Sequence, residues 1–421
     1  MTEKKTTVMV LSDHPLSPSG VGTQTKYMIE AMLATGKYRF VCLGGAIKHN
    51  NYTPLKVDPW EEDWLIYPID GYGNAAMIRS FLMNHKPDIL WFMTDPRFYG
   101  WLWEIENEVR AVVPMVYYHV WDNYPYPEFN KQWYDSNDMI VTISKVTSDI
   151  VRNVSPQIEE RYLPHAVNND IFTTLPEDAV ASFRKSTLGD LSKDKIVFFW
   201  NNRNARRKMS GSVVWWFKEY LDKVGHDKAM LLMHTDPMDV HGQDLIKIME
   251  HLGLTNGQVM ISKEKIPPEH LSMLYNMADC TINVADAEGF GLATFESLAC
   301  GTPIIVNMTG GLQEQVTDGE NWFGIGLEPA SKAIIGSQDV PYIYEDRVSG
   351  DEFVEALIKF TNLSEKERSE LGEAGRQHVL KNYSMDKFAK QWDQVLTEVV
   401  KTMGSWENRK NYKSWEVGEV S

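Results

Sequence analysis

The sequence predicts an α/β protein of two domains, each organised on a doubly wound, parallel sheet. Three observations carry that prediction. Short apolar, β-rich runs alternate with amphipathic helical runs along the chain, the pattern of strand–helix–strand crossovers. Glycine-rich turns follow several of the strand runs, where such sheets make their ligand sites. A chain of 421 residues is long enough for two ordinary hydrophobic cores.

Thr7 to Leu11 reads as the first strand, followed by a Gly/Pro/Ser loop, an amphipathic helix and a second strand. Gly20 and Gly22 stand just before that helix, a position suited to a phosphate, although a lone glycine loop is also an ordinary turn. The spacing lacks the full G-x-G-x-x-G pattern, which counts against a dinucleotide oxidoreductase. Lys86-Pro87-Asp88 is a turn into a buried strand, and Val112 to Tyr118 is another that delivers His119 at its carboxyl end. Read alone, such a histidine is structural, and no partner stands at metal-ligand spacing.

Tyr117 to Tyr134 is dense in aromatics, including Trp121, Tyr124, Tyr126, Phe129 and Trp133. Two readings stay open for it: aromatics packed onto the domain, or a platform for sugar rings or bases. Asp138 to Ser144 is a further strand whose last residue caps a helix. The polar stretch from Asn169 to Lys195 reads as the crossing between domains, placed at 1–191 and 192–384.

Ile196 to Trp200 opens the second domain as a buried strand. Arg203, Arg206, Arg207 and Lys208 follow at once, four cations within six residues of an acidic chain, which calls for an anion at the strand's ligand edge. The stretch Ala285 to Asn307 then combines Glu288, a Gly289-Phe290-Gly291-Leu292 turn, a short helix holding Glu296, and the strand Ile304-Ile305-Val306. The glutamate spacing alone proves little, because Glu365 and Glu373 repeat it within a solvated helix. The setting separates the two pairs: glycines fold both side chains toward one pocket, and a helix N-terminus adds favourable potential for an anion. Gly310 and Gly311 form a second glycine turn. Ser331 to Tyr344 reads as a loop-like insertion, and the last helix, from Met385, with the tail to residue 421, is expected to pack back on the first domain.

The formal net charge of −16 disfavours nucleic acid and anionic lipid as general partners. Cys42, Cys280 and Cys300 are too few and too scattered for a disulfide framework or a metal site. No apolar run approaches a membrane span, and the N-terminus lacks a signal-peptide core, so a cytoplasmic location is expected.

EGFGLATFESLACGTPIIV resembles the signature of the retaining glycosyltransferases of family 4, the glycosyltransferases of group 1. That resemblance implies the GT-B fold, two Rossmann-like domains facing each other across a cleft, with the donor held mainly by the second. It implies a UDP- or GDP-sugar as donor and transfer with retention to an acceptor hydroxyl of a carbohydrate, lipid or other compound. By the same likeness Arg203 and Lys208 match the phosphate-binding pair, and Glu296 takes the ribose hydroxyls. Glu288 with Gly289, Phe290, Gly291 and Leu292 holds the sugar. Gly20 and Gly22 meet the diphosphate from the first domain, and His119 contacts the donor sugar. Leu163 to Asn168 departs from the family's Pro-Asn-Gly-Val-Asp linker, which puts the usual conformation of that linker in doubt. With no Asp-x-Asp motif present, no metal and no cofactor are expected. A nucleotide-sugar epimerase, a phosphorylase, or a non-catalytic nucleotide-sugar-binding protein of the same architecture are the alternatives.

Overall fold

The computed structural model describes residues 4–415, so the last part of the expected tail, 416–421, lies outside the described residues. The chain forms two compact units, one comprising the residues up to Ala166 together with those from Met385 onward, the other Val167–Ser384.

The first unit is built on eight strands: β1 (Thr6–Asp13), β2 (Tyr38–Gly45), β3 (Leu55–Val57), β4 (Glu61–Pro68), β5 (Ile89–Met93), β6 (Met115–His119), β7 (Met139–Thr142) and β8 (Glu160–Tyr162). Their order is β3-β4-β2-β1-β5-β6-β7-β8, and every pairing is parallel except β3 with β4. β5 and β6 are buried along their whole length, as expected of strands covered on both faces, and their side chains are accordingly apolar or aromatic. The helix Met385–Met403 belongs to this unit. It buries Phe388, Trp392, Val395, Leu396 and Val399 along one stripe, with Trp392 set edge-on to Trp91 and Tyr118. The following segment is tied down by Trp406, whose indole N–H donates to the Pro87 carbonyl (2.9 Å), and by Arg409, paired with Asp138.

The second unit has a six-stranded parallel sheet of β9 (Ile196–Asn201), β10 (Ala229–His234), β11 (Val259–Ser262), β12 (Cys280–Asn283), β13 (Ile304–Asn307) and β14 (Gly324–Leu327). Its order is β11-β10-β9-β12-β13-β14. The winding reverses between β9 and β12, the crevice where a doubly wound sheet takes its ligand. In the first unit the corresponding point lies between β1 and β5.

Two sequence expectations need correction. The second unit begins at Val167, not at residue 192, because the polar stretch read as a crossing is anchored within it. Arg184 on the helix Glu177–Leu188 donates to the Met277 carbonyl (3.1 Å) and pairs with Asp279, while Asn276 bonds both Thr173 and Leu175. The insertion read as a loop is an antiparallel hairpin of β15 (Ser331–Ile335) and β16 (Ile343–Arg347). The three cysteines are buried and unpaired, as expected. Among the described residues no helix is long and apolar enough to cross a membrane.

Candidate functional site

At the switch point of the second unit, β9 ends in Asn201, the first polar residue after a buried apolar run, and β12 ends in Asn283. The turn beyond β12 carries Glu288. Its carboxylate accepts a hydrogen bond from the Lys208 ammonium and another from Asn283 Nδ2 (3.1 Å). The pair is well enclosed, with 9% of the Lys208 side chain and 12% of that of Glu288 exposed. Burial pushes the Glu288 carboxyl up, but the charges of Lys208 and Arg207 and the two hydrogen bonds outweigh it and hold the group below its ordinary range. The Arg207 guanidinium donates to the Ala287 carbonyl, and the Asp286 N–H to the Arg207 carbonyl (2.8 Å), so the basic run and the acidic turn are laced together.

The glycines of the two turns are required by close approach. A Cβ on Gly311 would stand 2.7 Å from both the Gly289 carbonyl oxygen and Phe290 Cα, and the Gly311 N–H donates to the Glu288 carbonyl (3.1 Å). Gly291, at φ +89°, begins the helix Leu292–Ala299 with no side chain to cap it. The carboxamide of the fully buried Gln315 holds this turn from behind, donating to the carbonyls of Phe290 and Gly291.

Glu296 lies one turn into that helix, half-buried. Its carboxylate accepts from the Tyr275 hydroxyl (2.8 Å), which in turn accepts from Asn201 Nδ2 (2.8 Å). Burial pushes the Glu296 carboxyl up to about 7, against the smaller opposite influence of the tyrosine hydrogen bond. The group therefore titrates near neutrality.

The basic run does not act as one patch. Arg203 is 61% exposed and makes a bidentate pair with Asp239 (2.7 and 3.2 Å), whereas Lys208 is buried beside Glu288. Arg206 grips Glu345 of the hairpin. Lys208, Glu288, Asn283, Tyr275, Glu296 and the glycine turns thus gather around the switch point, while Arg203 is drawn to a different carboxylate.

In the first unit Gly20 opens the helix Gly20–Leu33. Ser19 caps it by accepting from the Gly22 N–H (2.9 Å) and donates to Asp13. Gly22 is a packing residue: a Cβ there would come within 2.5 Å of Ser17 Oγ and 2.8 Å of the His14 carbonyl. His119, expected from the resemblance to contact the donor sugar, ends β6. It is 0% exposed, Nε2 bonds the Tyr134 hydroxyl (2.8 Å), and burial lowers its pKa to about 3, so the ring is neutral and enclosed. Of the eight aromatics from Tyr117 to Tyr134 only Tyr126 is exposed; it shares Asp149 with Tyr124, which decides for packing over an open platform. Asn201, Tyr275, Asn283 and Gln315 were absent from the residues singled out by sequence. For Asn201 the signal was present, as the polar residue that ends an apolar strand.

The model of the family described as glycosyl transferases group 1 matches residues 240–378, which include both glycine turns and both glutamates. The match is confined to this part of the second unit. The chain is 27% identical over 164 residues to the D-inositol 3-phosphate glycosyltransferase of Corynebacterium jeikeium (strain K411), a stretch covering 38% of each chain. It is 26% identical over 190 residues to the GDP-mannose-dependent alpha-(1-6)-phosphatidylinositol monomannoside mannosyltransferase of Mycolicibacterium smegmatis, 44% of this chain and 47% of that one. To the D-inositol 3-phosphate glycosyltransferase of Acidothermus cellulolyticus it is 42% identical over 69 residues, 16% of this chain and 15% of the relative. The chain thus spans less than half the length of these relatives. Among solved structures, sucrose-phosphate synthase from Thermosynechococcus elongatus superposes with a TM-score of 0.73 at 17% identity, over 94% of this chain and 100% of that one. Anabaena HepE, solved with UDP and glucose, gives 0.67 at 12% identity over 93% and 100%. At such identities the likeness shows the fold, which is GT-B.

Proposed function

We propose that the protein is a retaining glycosyltransferase that moves a sugar from a UDP- or GDP-sugar to an acceptor hydroxyl without a metal ion. The observation that carries this reading is the buried Lys208–Glu288 pair beside the glycine turns, with Glu296 on the adjoining helix. An ionised Glu296 accepts hydrogen bonds from both ribose hydroxyls. Lys208 and the N-terminus of the helix Leu292–Ala299 favour the diphosphate and stabilise it as a leaving group. Glu288 and the amides of Gly289 to Leu292 hold the transferred sugar. The bond between the anomeric carbon and the phosphate oxygen breaks while a bond to the acceptor oxygen forms on the same face. The acceptor proton passes to the departing phosphate. His119, enclosed in its core, has no part in this reading. Arg203 joins only by leaving Asp239.

GDP-mannose and UDP-glucose are the first donors to test, and inositol 3-phosphate and phosphatidylinositol mannosides the first acceptors, following the names of the relatives and of the HepE complex. Thermal shift against a panel of nucleotide sugars selects the donor. NMR of the product then reads the anomeric configuration. Inverted product, or turnover of the nucleotide sugar to an epimer without acceptor, would overturn the reading. Transfer is expected to survive EDTA unchanged; loss that magnesium or manganese restores would remove the metal-free part.

Glu296 supplies a pH signature. If ribose binding needs the carboxylate, a free-state pKa of about 7 leaves a minor fraction competent at pH 6 and most of it at pH 8. Nucleotide affinity is then expected to rise about tenfold between those values. Glu296→Gln should flatten that rise in calorimetric titrations, and an unaltered profile would take Glu296 out of the site.

A further inference from the structure

The second unit carries a groove of about 1070 Å³ between the helices Ser210–Val224 and Leu245–His251 and the strand β15, lined by residues distinct from the glutamates and glycine turns of the donor site. We propose that this groove binds one amphipathic anion, an alkyl chain carrying a phosphate or carboxylate head. Its walls are apolar: Met209, Ile248, Leu252 and Ile335 are half-buried along it, and the indole of Trp215 is 53% exposed to water. Its polar rim is cationic. Arg206, Arg347 and Lys247 line it, and no carboxylate does, in a chain of net charge −16. The carboxylates that orient the two arginines stand behind them and are buried. Glu345 accepts from both guanidiniums, and Asp286 lies 2.9 Å from Arg347. Arg206 and Arg347 are thereby held in fixed positions at the rim.

Both features select the occupant. A hydrophilic anion would leave the indole and the aliphatic walls in water, and a neutral lipid would leave the water-facing N–H groups of the rim without an anionic acceptor. Two of the three walls are helices whose backbone groups are satisfied internally, so an alkyl chain, which has no polar groups to pair, suits them better than a peptide. The volume is at the upper end of the range of small-molecule pockets, enough for one chain and its head group.

Decyl phosphate, kept below its micelle-forming concentration, is the probe, with decyl maltoside and inorganic phosphate as the chain-only and head-only controls. The full-length protein is expected to bind decyl phosphate saturably, one per chain, and each control at least about tenfold more weakly. Trp215→Ala and Lys247→Glu should each weaken binding about tenfold. The Lys247 side chain is 81% exposed, so its variant tests the site even where the tryptophan variant folds poorly. Equal affinity for decyl maltoside, unchanged affinity in the lysine variant, or binding only to phosphatidylglycerol vesicles and not to the monomeric amphiphile would overturn the proposal.

Discussion

Lys208→Ala is expected to lower kcat/KM for the donor about 10²- to 10³-fold, because it removes a preorganised positive charge from the place proposed for the leaving group. It should also destabilise the fold by about 3–5 kcal/mol, since it leaves the Glu288 carboxylate enclosed without its ammonium partner. The sign of the pH dependence makes the test specific. In the wild type the Glu288 carboxyl is held below its ordinary value of 4.5, so its contribution to stability is present above that pH and fades as pH falls through the lowered value. With Lys208 gone, burial prevails and the carboxyl moves above 4.5. Its contribution then reverses, and stability declines as pH rises past 4.5. Melting temperatures of Lys208→Ala and of the double variant with Glu288→Gln, followed from pH 4 to 7, read the difference. The double variant should recover stability near pH 7 and remain inactive. Parallel melting curves for the two would show that the pair is not coupled as the geometry requires.

The stretch holding Glu288 and Glu296 was legible in the sequence because its information is local: a buried strand, glycines, then a helix of known period. The basic run was only partly so. Its partners are remote, Asp239 lying 36 residues from Arg203 and Glu288 lying 80 from Lys208, and nothing in a spacing of cations says which carboxylate will take which. The enclosure of His119 was illegible for a related reason. β6 is buried on both faces, so its alternation carries no signal of inside and outside, and the tyrosines that enclose the ring come from its own strand and from Tyr134. The stretch from Asn169 to Lys195 reads as linker because its helix buries only Leu188 and is held by polar bonds, which a hydropathy pattern does not register. The hairpin was missed because β15 keeps its residues exposed or half-exposed and so lacks a buried face.

That hairpin supplies the other large effect. β16 is stitched to the turn that carries Glu288 and to the segments beside it: the Asp346 N–H donates to the Asp286 carbonyl (2.8 Å), Glu345 takes Arg206 of the basic run and Arg347 of its own strand, and Thr309, just after β13, donates to the Asp346 carboxylate (2.8 Å). Asp286 itself is fully buried, and burial, with the negative charge of Glu345 as a further contributor, pushes its carboxyl up to about 6 in spite of Arg347. Glu345→Ala should therefore have two consequences. It costs about 2 kcal/mol of stability, less than a fully buried pair because the Arg206 side chain stands half in water. It also removes a negative charge beside Asp286, so Asp286 becomes more acidic and draws the freed Arg206 and Arg347 toward itself, shifting the turn that follows it. A displaced turn presents Glu288 and its glycine amides wrongly to the sugar, and the donor KM should rise about tenfold while kcat changes less. A hairpin that only shores up the edge of the unit would lower the melting temperature and leave KM alone, so steady-state kinetics at a temperature where the variant is fully folded separate positioning from support.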